Sequence, residues 1–259
     1  MYKGYLIDLD GTAYHGTAVV KETLEFVQKL HERQIPYLFL TNNSTKTPAM
    51  VAKHLSEFGY PVSPEQIYTS AMATAEYIYD ENPHASVYLV GEIGLKQALT
   101  DKGLQLVGLG TEADYVAFGL DRDITYEKLG QACSAVRSGA KYIVTNGDKA
   151  IPTERGLMPG NGSLASVVSV STGVEPVLIG KPHATIMEKA LELMGLPPSE
   201  VAVIGDNYHT DILGGIHSDI PSIFIEGGVS SREDVLSQRH QPTHLLKDLS
   251  EWKLLDKAE

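Results

Sequence analysis

The sequence holds a single cysteine, Cys133, in 259 residues. That excludes an internal disulfide and any metal site built on thiolates, and it makes a reducing cytoplasm the expected compartment. No apolar run approaches the ~18 residues of a membrane span. The opening residues Met1-Tyr2-Lys3-Gly4 run straight into an acid-bearing strand, unlike a signal peptide. No membrane partner is therefore expected. Basic residues are also scarce: 21 Lys and Arg stand against 33 Asp and Glu, a formal net charge of −12. A pI near 5.2 lacks the positive field that nucleic-acid backbones select, so no nucleic-acid partner is expected either. Low-complexity segments and fixed-period repeats are missing. What remains is ordinary globular usage, 42% hydrophobic and 21% charged. The length suits one large domain or two modest ones.

The apolar pattern alternates between strand and helix. Tyr5-Leu6-Ile7 with Leu9 reads as a buried strand closed by the turn signal Asp10-Gly11-Thr12. Residues 20–34 read as an amphipathic helix with Leu24, Val27 and Leu30 on one face and an exposed Glu25/Lys29 pair. A second strand, Tyr37-Leu38-Phe39-Leu40, ends at Thr41-Asn42-Asn43. Thr47 and Pro48 start the next helix, Gly59 stops it, and Ser63-Pro64-Glu65-Gln66 is a capping box. A further helix covers 71–79. This rhythm argues a parallel sheet with helices on its faces, an α/β fold.

Residues 81–176 carry their own strand-like and helix-like runs and a turn-rich stretch at 151–162. They read as a second α/β unit inserted into the first. The first rhythm resumes with a strand at 176–179, a helix at 184–194, a strand at 201–204, a helix at 210–216 and a strand at 221–225. The expected domains are thus 1–80 and 177–259 for the core and 81–176 for the insertion.

Ligands of open α/β sheets bind outside the carboxyl ends of the strands. Four expected core strands end in polar residues: Asp8 and Asp10; Thr41-Asn42-Asn43; Gly180-Lys181-Pro182; and Gly205-Asp206-Asn207 with Asp211 one helical turn on. Asp8 and Asp10, two apart on a strand, should lean to one face. With Asp206 and Asp211, four carboxylates would share one region, where they either raise each other's pKa or require a cation. Oxygen ligands without sulfur point to Mg²⁺. With Lys181 and hydroxyl and amide donors nearby, the set suits a phosphoryl group. Taken singly, each aspartate is more often a turn former or cap, and a lysine before proline more often a solvated loop residue. The weight lies in their joint occurrence, in order, at four strand ends. A unit charge pair at ~4 Å is worth ~4 kcal/mol at an effective dielectric near 20. Diffuse charge is screened beyond ~8 Å, so an acidic chain can still hold a phosphate.

Those residues carry a family resemblance that spans essentially the whole chain. Asp8-Leu9-Asp10-Gly11-Thr12, Leu40-Thr41-Asn42-Asn43-Ser44, Gly180-Lys181-Pro182 and Gly205-Asp206-Asn207-Tyr208-His209-Thr210-Asp211-Ile212 resemble the four ordered motifs of the haloacid dehalogenase (HAD) superfamily phosphatases. The insertion, with Thr-Ser-Ala-Met-Ala-Thr at 69–74 and the run at 153–162, is similar to the NagD-like and p-nitrophenylphosphatase-like branch, and within it to the acid sugar phosphatases. The resemblance implies a Rossmann-like core with a cap domain and a Mg²⁺-dependent phosphatase acting on a small phosphorylated metabolite. Asp8 would be the nucleophile and Asp10 the general acid and base. Thr41, Asn42, Asn43 and Lys181 would bind the phosphoryl group. Asp8, the backbone carbonyl of Asp10, and Asp206 would hold the metal, with Asn207 and Asp211 in support. The loops at 121–123, 146–148 and 153–162 would face the substrate, and an exposed cap face is a candidate homodimer surface.

Other readings compete. A nucleoside monophosphate phosphatase, a phosphotransferase or a phosphomutase would use the same fold. A phospho-accepting signalling module needs about half this length, and a non-catalytic phosphosugar binder has no need of the Asp8/Asp10 pair. Gly108-Leu109-Gly110-Thr111-Glu112-Ala113 matches a loose dinucleotide fingerprint but runs into a strand rather than a helix, and it is rejected.

Overall fold

The strand Gly4–Ile7 is buried along its whole length, as a strand of a helix-covered parallel sheet should be. In the computed structural model, which describes residues 2–153 and 155–254, it lies inside a six-stranded sheet. The strand order is His244–Leu246, Ser222–Ile225, Val201–Gly205, Gly4–Ile7, Tyr37–Thr41, Ile67–Thr69. Gly4–Ile7 pairs in parallel on both sides, with Tyr5 opposite Ala202 on one and Tyr37 on the other. On one side the neighbours come from late in the chain, on the other from early, so the order reverses at Gly4–Ile7. Such a reversal splays the connecting loops and opens a crevice at the carboxyl ends.

The helix Lys21–Glu32 buries Phe26, Val27 and Leu30 against a cluster that includes Tyr5, Ile7, Phe39, Ile204 and Ile223. It is shorter than the expected 20–34 because Gln34 takes a positive φ of 55°. Glu25 pairs with Lys21 at 3.5 Å, the partner one turn earlier than the expected Lys29. The helix Pro48–Glu57 starts at its proline, and the capping box at Ser63 and Gln66 closes one short 3₁₀ turn.

The chain divides into two units: 1–41, 49–68 and 181–259, and then 42–48 with 69–180. Met1 and residues 255–259 of the first and Glu154 of the second lie outside the described residues. The second unit has its own parallel sheet, in the order Val177–Leu178, Lys141–Val144, Tyr115–Phe118, Ser86–Val90, Gln105–Val107. Its core gathers Val90, Phe118, Val136, Val144 and Val168.

These borders differ from the expected 80/81 and 176/177. The strand Val177–Leu178 was expected in the first sheet; it pairs instead with Ile143 and Val144 of the second. A short apolar run states that it will be a strand, not which sheet it will join. The helix Ser70–Glu81 likewise belongs with the inserted unit. The turn-rich stretch is a hairpin of Ala150–Thr153 against Gly156–Pro159, followed by the helix Asn161–Thr172. Among the described residues, no helix is long and apolar enough to cross a membrane.

Candidate active site

Asp8 is the first residue past the strand Gly4–Ile7, and its backbone N–H still extends the ladder, donating to the Ile204 carbonyl at 2.9 Å. Lys181, where the chain re-enters the first unit, sends its buried ammonium to Asp8 Oδ1 at 2.5 Å, Asp211 Oδ1 at 2.7 Å and the Leu40 carbonyl at 3.0 Å. Asp206 follows the strand Val201–Gly205 and is fully buried. Its Oδ1 accepts the Thr12 hydroxyl at 2.9 Å and its Oδ2 the Val229 N–H at 2.7 Å. Asp211 lies in a wide helical turn, Tyr208–Ile212, capped by the Asn207 side chain. The widening is of the kind often found where a helix serves a site. Its Oδ2 accepts the Asn207 N–H at 3.2 Å.

Carboxylate oxygens of Asp8, Asp206 and Asp211 lie within 4.8 Å of one another. Three acids thus face one ammonium in a buried space. Burial, and then the charge of Asp211, push the Asp8 carboxyl well above its usual range despite Lys181. Burial and Asp211 also raise Asp206, against the lowering pull of the Val229 N–H and Thr12 hydroxyl. Burial alone would lower Lys181, but Asp211 and Asp8 overcome it and hold the ammonium charged. The cluster therefore has an unmet demand for positive charge, and its donors are all oxygen, the set that hard divalent cations prefer. The backbone closes round it: a Cβ on Gly228 would fall 1.8 Å from Asp206 Oδ2. The residues fit a divalent cation.

A pH dependence follows. Asp8 and Asp206 have folded-state pKa values above the unfolded reference of 3.8. The folded state then binds protons more readily than the unfolded one, and stability rises as pH falls toward that reference. Without divalent cations, Asp8→Asn should therefore gain in unfolding midpoint over the wild type as pH rises, because the neutral isostere has no charge to bury. Saturating Mg²⁺ should shrink that gain. A gain that falls as pH rises contradicts the charge balance described.

Asp10 does not join the three acids. The strand stops at Ile7, so the alternation expected to align Asp8 with Asp10 does not operate; Asp8 is buried and Asp10 exposed. Thr41 ends the strand Tyr37–Thr41 and is buried in the first unit. Asn42 and Asn43 fall in the second unit. There the Asn42 carbonyl accepts from Ser70 Oγ at 2.6 Å and Asn146 Nδ2 at 2.9 Å. The Asn43 side-chain oxygen accepts the N–H groups of Thr45 at 2.8 Å and Lys46 at 3.2 Å, which closes a turn. Of the loops expected to face substrate, 121–123 is held by Lys128 at 2.7 Å from Asp121 Oδ2, and 146–148 by Asn146.

Sequence reasoning passed over Thr12, which lies inside a quoted motif, and the Gly228-Val229 backbone. The pair Gly227-Gly228 was the available signal, because adjacent glycines mark places where a backbone must approach closely.

Two family models match the chain, one described as haloacid dehalogenase-like hydrolase over residues 5–105 and one as HAD-hydrolase-like over 178–252. The chain belongs to the haloacid dehalogenase-like hydrolase family. It is 51% identical over 251 residues to 5'-nucleotidase YutF of Bacillus subtilis, covering 97% of each chain. It is 52% identical over 250 residues to an acid sugar phosphatase of Staphylococcus aureus, covering 96% of each. A crystal structure of a thermostable NPPase from Geobacillus stearothermophilus matches with a TM-score of 0.92 at 48% identity, covering 98% of this chain and 99% of that one.

Proposed function

We propose that the chain hydrolyses small phosphomonoesters through an aspartyl-phosphate on Asp8, with Mg²⁺ as cofactor in the cytoplasm. It is a phosphoric monoester hydrolase. The observation that carries the mechanism is the buried Lys181 ammonium held between Asp8 and Asp211 at 2.5 and 2.7 Å. Asp211, anchored on the Asn207 N–H, aims that ammonium at Asp8, where the charge of an incoming phosphoryl group would be met.

In the first step an Asp8 carboxylate oxygen bonds to phosphorus while the bond from phosphorus to the leaving oxygen breaks. Asp10 gives that oxygen a proton. Its exposure, outside the crowded cluster, suits it to exchange protons with substrate and water. In the second step water bonds to phosphorus, its proton passes to Asp10, and the bond to Asp8 breaks. Free phosphate leaves and both aspartates return to their starting states. Thr41 and Lys181, with Asn42 and Asn43, are assigned to the phosphoryl oxygens. Asp8, Asp206 and the Asp10 carbonyl would hold the cation. When bound, it supplies the positive charge that lets a phosphate dianion approach a carboxylate.

Sugar phosphates are the first substrate class, after the Staphylococcus relative's name, and nucleoside monophosphates the second, after the Bacillus relative's. The inserted unit is assigned the role of cap and the choice between these classes. The test is a panel of both, with released phosphate measured. We expect free phosphate with Mg²⁺, none after EDTA, and recovery on adding Mg²⁺ back. Phosphate that passes to an acceptor without appearing free would make the protein a transferase or mutase. Undiminished release in EDTA would remove the metal.

A further inference from the structure

The strand Lys141–Val144 of the inserted sheet runs through Thr145 into Asn146, which is buried. Asn146 Nδ2 donates to the Asn42 carbonyl at 2.9 Å, and its Oδ1 accepts the Asp148 N–H at 3.1 Å. Behind it stands the start of the helix Asn161–Thr172. There the buried Asn161 Nδ2 donates to the Asn146 carbonyl at 2.9 Å, and Gly162 N–H to the Asp148 carbonyl at 2.9 Å. The fit is close, because a Cβ on Gly162 would fall 2.4 Å from the Gly147 carbonyl oxygen. A second buried donor reaches the same Asn42 carbonyl: Ser70 Oγ, at 2.6 Å, from the first residue of the helix Ser70–Glu81. All of these residues belong to the second unit.

We propose that Asn146 is a positioning residue for phosphoryl binding: together with Ser70 it pins the Asn42 carbonyl and so aims the Asn43 N–H at a phosphoryl oxygen. The inference rests on the reading of Asn42 and Asn43 as phosphoryl ligands. A carbonyl oxygen has two lone pairs, and two buried donors occupy this one. The Asn42–Asn43 peptide is trans. In a planar trans peptide the C=O and the N–H point in opposite directions, so fixing the Asn42 carbonyl fixes the Asn43 N–H. Such fixing matters, since misplacement of a binding group by about 1 Å can cost ~10²-fold. Asn146 thus acts, through the 42–43 peptide, on the phosphoryl group that all substrates share, and not on the leaving group.

The test measures inhibition by inorganic phosphate, which has no leaving group, together with kcat and KM for p-nitrophenyl phosphate. Asn146→Ala removes one donor to the Asn42 carbonyl. It should raise KM and the phosphate Ki by the same factor, about five- to tenfold, the usual worth of one hydrogen bond. The change in kcat should be far smaller, the split expected of a contact made alike to bound and reacting phosphoryl groups. Ser70→Ala removes the other donor, leaves Asn146 in place, and should raise both constants even where Asn146→Ala does not fold. Asn43→Ala opens the turn that its side chain closes on the Thr45 and Lys46 N–H groups, and it should raise the same Ki. Should Asn43→Ala do so while Asn146→Ala and Ser70→Ala keep the wild-type Ki, the Asn146 inference alone is overturned, whatever their unfolding midpoints. A rise in KM without a rise in Ki would set the 146–148 loop against the leaving group and also overturn it. If none of the three variants moves Ki, the reading of Asn42 and Asn43 as phosphoryl ligands falls and the inference with it.

Discussion

Replacing Asp8 with Asn should abolish turnover of p-nitrophenyl phosphate, a fall of about 10⁴-fold or more, the effect expected on removing the proposed nucleophile. An amide oxygen is too weak a nucleophile to bond phosphorus, and no other carboxylate of the cluster is placed to substitute. Asp211 is tied to Lys181 and the Asn207 N–H, and Asp206 to Thr12 and Val229. Stability should not fall with activity. Burial and two neighbouring acids already work against the Asp8 charge, so the neutral isostere relieves a repulsion. The unfolding midpoint in EDTA should equal or exceed that of the wild type. Acid-quenched protein should carry phosphate in the wild type and none in the variant. Retained turnover would remove Asp8 as the nucleophile.

Lys181→Met should do the opposite to stability. Its ammonium is almost fully buried and ion-paired to two carboxylates. Methionine fills a similar volume but leaves those acids facing each other without a counter-charge. Breaking a buried pair from one side costs about 3–5 kcal/mol. For a chain of this size that lowers the unfolding midpoint by roughly 6–20 °C. The loss should be largest at alkaline pH and shrink as pH falls and the Asp8 carboxyl, held well above its usual range by burial, takes up its proton. Activity should fall about 10²–10³-fold, the usual effect of removing one charge-stabilising donor. An unchanged midpoint at pH 8 would mean that Lys181 does not balance the cluster in solution.

Most of the site could be read before the fold was known, because parallel sheets obey a strict geometry. Strands that run the same way deliver their last residues to the same edge, so Asp8, Thr41 and Asp206 are neighbours in consequence of ending strands Gly4–Ile7, Tyr37–Thr41 and Val201–Gly205. Lys181 reaches that edge by another route. The strand before it, Val177–Leu178, belongs to the inserted sheet, and Lys181 itself begins the return to the first unit. Lys181 meets Asp8 and Asp211 although the strand before it pairs in the other sheet, since Gly180-Lys181-Pro182 marks a turn whichever sheet precedes it.

The partners of the acids were not readable. Thr12 and Asp206 are 194 positions apart and meet at 2.9 Å, and Val229 reaches Asp206 only because Gly228 leaves room for the backbone. Asp10 was grouped with Asp8 on an alternation that stops at Ile7.

Local chemistry, then, was legible from the chain alone: which runs are strands, where they stop, and which acids and which base stand at their ends. Those properties depend on neighbours within a few positions, and periodicity and turn residues record them. The tertiary structure decided which carboxylates are buried together, which one stays at the surface, and which sheet claims Val177–Leu178. Those outcomes depend on hydrogen bonds and desolvation between residues far apart in the chain, for which a linear pattern keeps no record.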